Sequence, residues 1–371
     1  MLISIIGGGP AGLYFACAIK SLNPHFDITV YEARNESVNS HGLGYTLQGL
    51  NTNLLSRLDA QYFESLFPTG STPLITKALF KTNYDSRVLG FSEGFSVTRP
   101  QLMRYLHNRA LELGVKCKEK KISAARVKRL QNSSDLLVGA DGINSIVRNH
   151  FSSRFQAKTL QTTLRFSWFI NETVQIRKEA CFYAFQAPEG VIMLTSYPLT
   201  ENRQVVIIEM TDNCLNSGQF RGKSPQEAEP YLNALLSSNG DEMSLKSAGL
   251  PWYTFNMNTT EQLADKNVAL VGDAAFSFHY SAGQGLTTAF TMGYSLAHCL
   301  QKNADLTLAL KHYSKSVQLM LAKPAAQSFA DIRWFENIDS HFRNASTDDW
   351  LDLFLDKDKF DPFKSRVNAV N

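Results

Sequence analysis

Residues 2–22 read LISIIGGGPAGLYFACAIKSL, and where this stretch is divided decides the fold. LISII is a short β-branched run stopped at once by GGGPAG, after which LYFACAIKSL has the length and apolar spacing of a helix. DITVYEA, over 27–33, is then a second strand, so the chain opens on a βαβ unit. Gly7, Gly9 and Gly12 form G-x-G-x-x-G between strand and helix, and Glu32 stands 20 residues beyond Gly12 at the end of the second strand. Such a glycine turn lets a helix N-terminus approach a pyrophosphate, while the acidic residue accepts hydrogen bonds from a ribose diol. The pattern predicts dinucleotide binding by Gly7, Gly9, Pro10, Ala11, Gly12 and Glu32, with Ala33 and Arg34 beside them. Glu rather than a basic residue at 32 suits an unphosphorylated 2′-hydroxyl, which FAD and NAD have and NADP lacks.

Outward from this unit the chain changes character more than once. A polar loop and a stretch without clear pattern run to about residue 98, and RPQLMRYLHNRALELG (99–114) is a helix with a Gly stop. KCKEKKISAARVKR (116–129) is dense in Lys and Arg; it reads as a solvated surface strand and turn, with a phosphate or CoA contact as the functional alternative. DLLVGADG (135–142) is a buried strand ending in a turn. From about 159 to 256, LRFSWFI, ACFYAFQ, GVIMLTSY and QVVIIEM are aromatic and β-branched runs separated by turns, the signature of an antiparallel sheet. VALVGDAA (268–275) is again a strand, LTTAFTMGYSLAHCLQK (286–302) a helix, and the remainder to about 355 reads as helical with an interruption near Pro324. The expected fold is α/β: a discontinuous Rossmann-like domain over 1–156 and 259–371, the latter with C-terminal helices, into which an antiparallel-sheet substrate domain, 157–258, is inserted.

Bulk composition narrows the function. The 371 residues are 44% hydrophobic and 19% charged, and 37 basic against 34 acidic residues leave no global field that would favour nucleic acid or an anionic membrane. Five scattered cysteines, Cys17, Cys117, Cys181, Cys214 and Cys299, fit a reducing compartment, and the apolar opening lacks the basic start of a signal peptide. A cytoplasmic protein without a membrane span is expected. The eight histidines have no ligand spacing, so no metal is expected, and Gly-x-Ser-x-Gly is absent.

Three ordered motifs, GGGPAG (7–12), VGADGINSIVR (138–148) and VGDAAF followed by GQG (271–285), carry a resemblance to the class A flavin monooxygenases, the group of p-hydroxybenzoate hydroxylase. It spans nearly the whole chain. HYSAGQG (279–285) and SFADIRWFENI (328–338) look like the branch containing the violacein-pathway hydroxylase and salicylyl-CoA hydroxylase, while Phe276, Tyr280 and Thr287 depart from the commoner His, Pro and Asn.

The resemblance implies bound FAD, a transient NADPH or NADH donor without a domain of its own, and a flavin C4a-hydroperoxide that passes oxygen from O2 to a small electron-rich aromatic of indole or phenol type. An aryl-CoA hydroxylase and a flavin reductase or dehydrogenase are the enzymatic alternatives, and a redox-controlled flavin-binding protein is the other class; a monomer or homodimer is expected. By the same resemblance Asp273 holds the ribityl hydroxyls, and the amides of Gly283, Gln284, Gly285 and Leu286 face the reduced ring. Arg99 and Asp141 fall at cofactor-contacting positions. His279 is the candidate base, with Tyr280 beside it, and a structural histidine is the rival reading. Trp334 and Glu336 are weaker pocket candidates.

Overall fold

A computed structural model describes residues 1–33, 43–59, 63–64, 66, 74–82, 85–89, 93–172, 178–280 and 283–342. Arg34 lies outside the described residues, as do 343–355, where helix was expected.

The opening βαβ unit nucleates a sheet in the order Ala264–Asp265, Val268–Leu270, Leu136–Gly139, Leu2–Ile6, Asp27–Glu32, Lys116–Glu119. All pairings but the first are parallel. Leu136–Gly139 is buried throughout, as a strand covered on both faces should be. The helix Pro10–Leu22 takes Pro at its first position, where the missing N–H is no loss. It is buried from Ala11 to Ile19 because it packs against this sheet and the helices Arg99–Glu112 and Gly285–Lys302. At that crossing a Cβ on Gly293 would stand 3.0 Å from Tyr14, whose ring stacks on Phe290 at 4.7 Å.

A larger sheet runs Leu245–Ser247, Lys158–Asn171, Arg203–Thr211, Gly190–Thr200, Ala180–Ala187, Ala78–Lys81, Ser86–Leu89, with Tyr253–Thr259 also on Lys158–Asn171. Period-two alternation gives it two different faces. Phe169, Val206, Ile208 and Met210 pack under Leu232 and Leu236 of the helix Pro225–Ser238. Phe166, Trp168, Val205 and Ile207 face the other way. A small antiparallel sheet, Gly44–Gln48, Gly94–Thr98 and Leu74–Ile75, leads directly into the helix Arg99–Glu112.

Three expectations need correction. The stretch 159–256 is not all sheet: Pro225–Ser238 is a helix, begun by a capping box in which Ser224 and Glu227 satisfy each other's amides. The basic segment is strand Lys116–Glu119 and then a helix, Ala124–Ser133, rather than a turn, because Val127 and Gln131 one turn apart bury an inner face while the basic residues stay outside. Pro324 does not interrupt its helix, which runs unbroken from Leu306 to Glu336. The ring removes one backbone hydrogen bond there, but buried Val317, Leu321, Ser328 and Ile332 hold the helix on either side.

Candidate active site

The glycine turn is built by close approach. Gly7 has φ +108° and donates its N–H to Tyr31 O at 2.9 Å; a Cβ there would lie 2.2 Å from Ala140 O. A Cβ on Gly12 would lie 2.0 Å from Gly7 O, so the helix can start this near the strand only with glycine at both places. Gly9 differs: a Cβ there meets nothing within 4 Å, and no side chain caps the helix start beside it. Glu32 accepts the N–H of Gly8 at 2.7 Å and of Ala33 at 2.8 Å, which fixes its carboxylate at the lip of the turn.

The late segment rests on the same turn. Gly272, at φ +62°, has room for no Cβ, since one would stand 2.7 Å from Ala11 and 3.6 Å from Ala289. Residues 272–274 therefore sit where the first turns of two helices, Pro10–Leu22 and Gly285–Lys302, come together. Asp273 is exposed, yet so deep in the cleft that desolvation lifts its carboxyl to about 6 against the pull of Arg99 and Arg148. Arg99 hydrogen-bonds the Tyr45 hydroxyl. Arg148, 3% exposed, donates to Ile143 O at 2.7 Å, Ala274 O at 3.1 Å and Asp273 O at 3.3 Å, so it ties the Asp-Gly turn to the late segment. Asp141 is engaged by its own turn, accepting from Ser145 Oγ at 2.5 Å and Ile146 N at 2.7 Å, and burial pushes its carboxyl up.

Gly283 and Gly285 also face open space, and no side chain caps the helix Gly285–Lys302. Its first N–H groups and the positive end of its dipole meet the cleft. Asn51, on the short helix Leu50–Ser56 that follows the strand Gly44–Gln48, steadies this start, donating to Thr287 Oγ1 at 3.2 Å while accepting Gln48 N at 2.7 Å.

Tyr280, just before this helix, joins an aromatic wall. Its ring lies 5.4 Å from Phe166, which lies 5.1 Å from Trp168 and 5.8 Å from Tyr253. Leu199, Val205, Ile207 and Tyr197 complete the cluster. His279 lies behind this wall: it is 0% exposed, its ring held between Tyr280 at 4.6 Å and Phe335 at 4.7 Å. Its Nε2 stands 2.7 Å from Glu209 Oε1, and its backbone N–H donates to Ser328 Oγ at 2.9 Å. Trp334 is core, and Glu336 accepts Thr163 N at 2.7 Å, so both brace the wall rather than line it. Sequence reading missed Glu209, Arg148 and Tyr45. For Glu209 there was a signal: it is the one charged residue in QVVIIEM.

Two uncapped helix starts, each with open space in front, and an acidic residue beside each fit a cofactor with a pyrophosphate at one end and an electron-rich ring at the other. Residues 112–324, more than half of the chain, match the family described as FAD binding domain. The chain belongs to this family. It is a class A flavin monooxygenase, and FAD and NAD(P)H are the cofactors of the class. Residues 5–41 also match the NAD(P)-binding Rossmann-like domain, which is the glycine turn and its strands. Salicyloyl-CoA 5-hydroxylase of Streptomyces sp is 24% identical over 364 residues, covering 93% of this chain and 67% of that protein. Protodeoxyviolaceinate monooxygenase of Chromobacterium violaceum is 24% identical over 361 residues, covering 94% and 92%. Among solved structures, 2-methyl-3-hydroxypyridine-5-carboxylic acid oxygenase in its tetrameric form shares the fold with a TM-score of 0.69 at 18% identity, covering 93% of this chain and 94% of that one. No described helix is long and apolar enough to cross a membrane.

Proposed function

We propose that this enzyme hydroxylates a small electron-rich aromatic held against the wall of Phe166, Trp168 and Tyr280. One observation carries the reading: residues 273–280 run from Asp273, between two helix starts, to Tyr280 in the aromatic wall, so the proposed cofactor and substrate sites share one segment of backbone. The names of the relatives support it, each describing oxygen insertion into an aromatic compound.

Bound FAD, once reduced by NAD(P)H, supplies the activated oxygen. The chain's own residues do the rest. The open space at Gly9 and the helix start behind it would take the pyrophosphate, with Glu32 on the adenosine ribose. Asp273, with Arg99 and Arg148 near, would accept the ribityl hydroxyls. The amides of Gln284, Gly285 and Leu286 would steady negative charge on the pyrimidine side of the ring, whereas the Gly283 N–H, expected to join them, donates to Tyr280 O at 3.0 Å. The aromatic wall excludes water from the site of oxygen transfer. Arg148 and Asp141 are positioning residues, since their bonds end on the two turns that frame the cleft. We likewise keep the division 1–156, 157–258 and 259–371 as a proposed domain scheme.

A free aromatic fits better than a CoA ester. The basic segment that could bind CoA phosphates lies on the edge of the six-stranded sheet, where Lys120 N bonds Glu32 O, rather than beside the aromatic wall. The test is to give the FAD-loaded enzyme NADPH or NADH, isotopically labelled oxygen gas and a panel of indoles, phenols and aryl-CoA esters. Label in the product is expected; consumption of reductant with no label in any product would favour the reductase alternative.

A further inference from the structure

We propose that the outer face of the helix Leu306–Glu336, with the groove beside it, docks this enzyme on an anionic lipid surface. Such docking is independent of which aromatic the enzyme takes.

The helix has two unlike sides. Inward, Ala309, Leu310, Tyr313, Val317 and Leu321 are buried, and the Tyr313 hydroxyl donates to Leu270 O at 2.6 Å, which pins the helix to the six-stranded sheet. Outward, at 3.6 residues per turn, Leu308, Lys315, Leu319 and Lys323 fall within about 80° of arc, with Lys311 on their flank. Leu319 is 73% exposed, Leu308 43% and Phe329 36%, and the three lysines are exposed with them. Apolar and basic side chains thus alternate along one open ridge, which is the pattern of a helix that lies on a membrane surface.

The charge is of one sign. From Leu306 to Ala330 the helix has no acidic residue, so a chain of net charge +3 concentrates positive charge here. Asp305, just ahead of the helix, accepts Thr307 N at 2.8 Å. Gln318 reaches the neighbouring segment at Glu261 O. The acids of that segment are already paired, Glu261 with Lys158 at 2.6 Å and Asp265 with Arg154 at 3.6 Å. Between this helix and Gly285–Lys302 lies an open groove of about 360 Å³, lined by Tyr294, Ser295, His298, Lys302, Asn303 and His312, with no carboxylate among its described residues. Arg57 adds a cation there, donating to the Tyr294 hydroxyl at 3.0 Å. Cations, hydroxyls and an amide together suit a phosphate headgroup.

A second copy of the chain would set lysine against lysine on this ridge. An acidic protein would answer the lysines and leave the leucines unexplained. A lipid surface answers both: headgroup phosphates meet Lys302, Lys311, Lys315 and Lys323, while Leu308 and Leu319, about 16 Å apart along the axis, reach the acyl boundary.

The experiment is co-sedimentation of the FAD-loaded enzyme with vesicles of phosphatidylcholine alone, or with roughly one-third phosphatidylglycerol. Binding to the anionic vesicles is expected to be at least about tenfold tighter, and to weaken steeply as salt rises from about 0.1 to 0.5 M. Reversing Lys311→Glu, Lys315→Glu and Lys323→Glu together should abolish it. Leu319→Gln changes no charge and should weaken it roughly fivefold. Lys118→Glu with Lys121→Glu, at the far edge of the six-stranded sheet, should leave it within about threefold, since those lysines lie off the ridge. All of these side chains are exposed, and retained flavin absorbance checks that each variant is folded. Equal binding to both kinds of vesicle, binding to neither, an undiminished affinity in the triple variant, or an equal loss in the Lys118 and Lys121 variant would overturn the proposal. Wild-type affinity in Leu319→Gln would overturn the lipid assignment in favour of an acidic protein.

Discussion

At the scale of single residues, the three fingerprint glycines do different work, and substitution separates them. Gly7→Ala and Gly12→Ala each drive a Cβ into backbone, at 2.2 Å and 2.0 Å, and should lower stability by about 3 kcal/mol or more in urea denaturation. Gly9→Ala adds its methyl to empty space at a backbone angle any residue adopts, so the fold should keep its stability while FAD binding weakens at least about tenfold, read by fluorescence quenching. Asp273 gives a pH signature in FAD-stripped protein. Its folded carboxyl, near 6, binds the proton more tightly than the unfolded chain's at 3.8, so the ionised side chain costs stability above about pH 6 and that cost fades as the pH falls towards 3.8. Asp273→Asn should therefore raise the melting temperature at about pH 7.5, lose that gain below about pH 4, and bind FAD less well. The glycines and Asp273 were legible because their meaning is local: a turn, a spacing, a strand end. Glu209 was not, since its role depends on strand register and on His279, 70 residues later.

At the scale of elements, two devices hold the site together. Arg148 spans from the Asp-Gly turn to the late segment with bonds to three carbonyls. Arg148→Met keeps the stem but strands those oxygens, and should cost about 2–4 kcal/mol with a parallel loss of FAD affinity, checked by denaturation and by flavin titration. The capping box at Ser224, far from the cleft, is the contrast. Ser224→Ala should cost about 1 kcal/mol and leave turnover unchanged. That helix start, S-P-Q-E, was readable and overlooked among strands of strong β character. Pro324 misled in the opposite direction: a ring that would end an isolated helix is tolerated where both flanking turns are packed. Ala78–Lys81 pairing in parallel with Ala180–Tyr183 left no local trace at all, because neither strand encodes its partner.

At the scale of the whole molecule, ligand and fold are linked. The proposed cofactor cleft lies between parts of the chain far apart in sequence, so FAD should stabilise all of them together, by about 2.7 kcal/mol when free FAD is 100-fold above its dissociation constant. Gly9→Ala should flatten this dependence of melting temperature on added FAD. The general architecture was readable because the order of motifs, one early, one central and one late, already implied that the last strand returns to the first. What the motifs could not show was how tightly that return is built in. Leu136–Gly139 has Leu2–Ile6 on one side and Val268–Leu270 on the other. During synthesis, then, the middle of this sheet stays open on one flank until residue 270 has cleared the ribosome tunnel. Between the emergence of Gly139 and that of Leu270 the nascent chain carries an unfilled, apolar edge, so ribosome-bound chains halted in that interval should aggregate more readily than ones released after it.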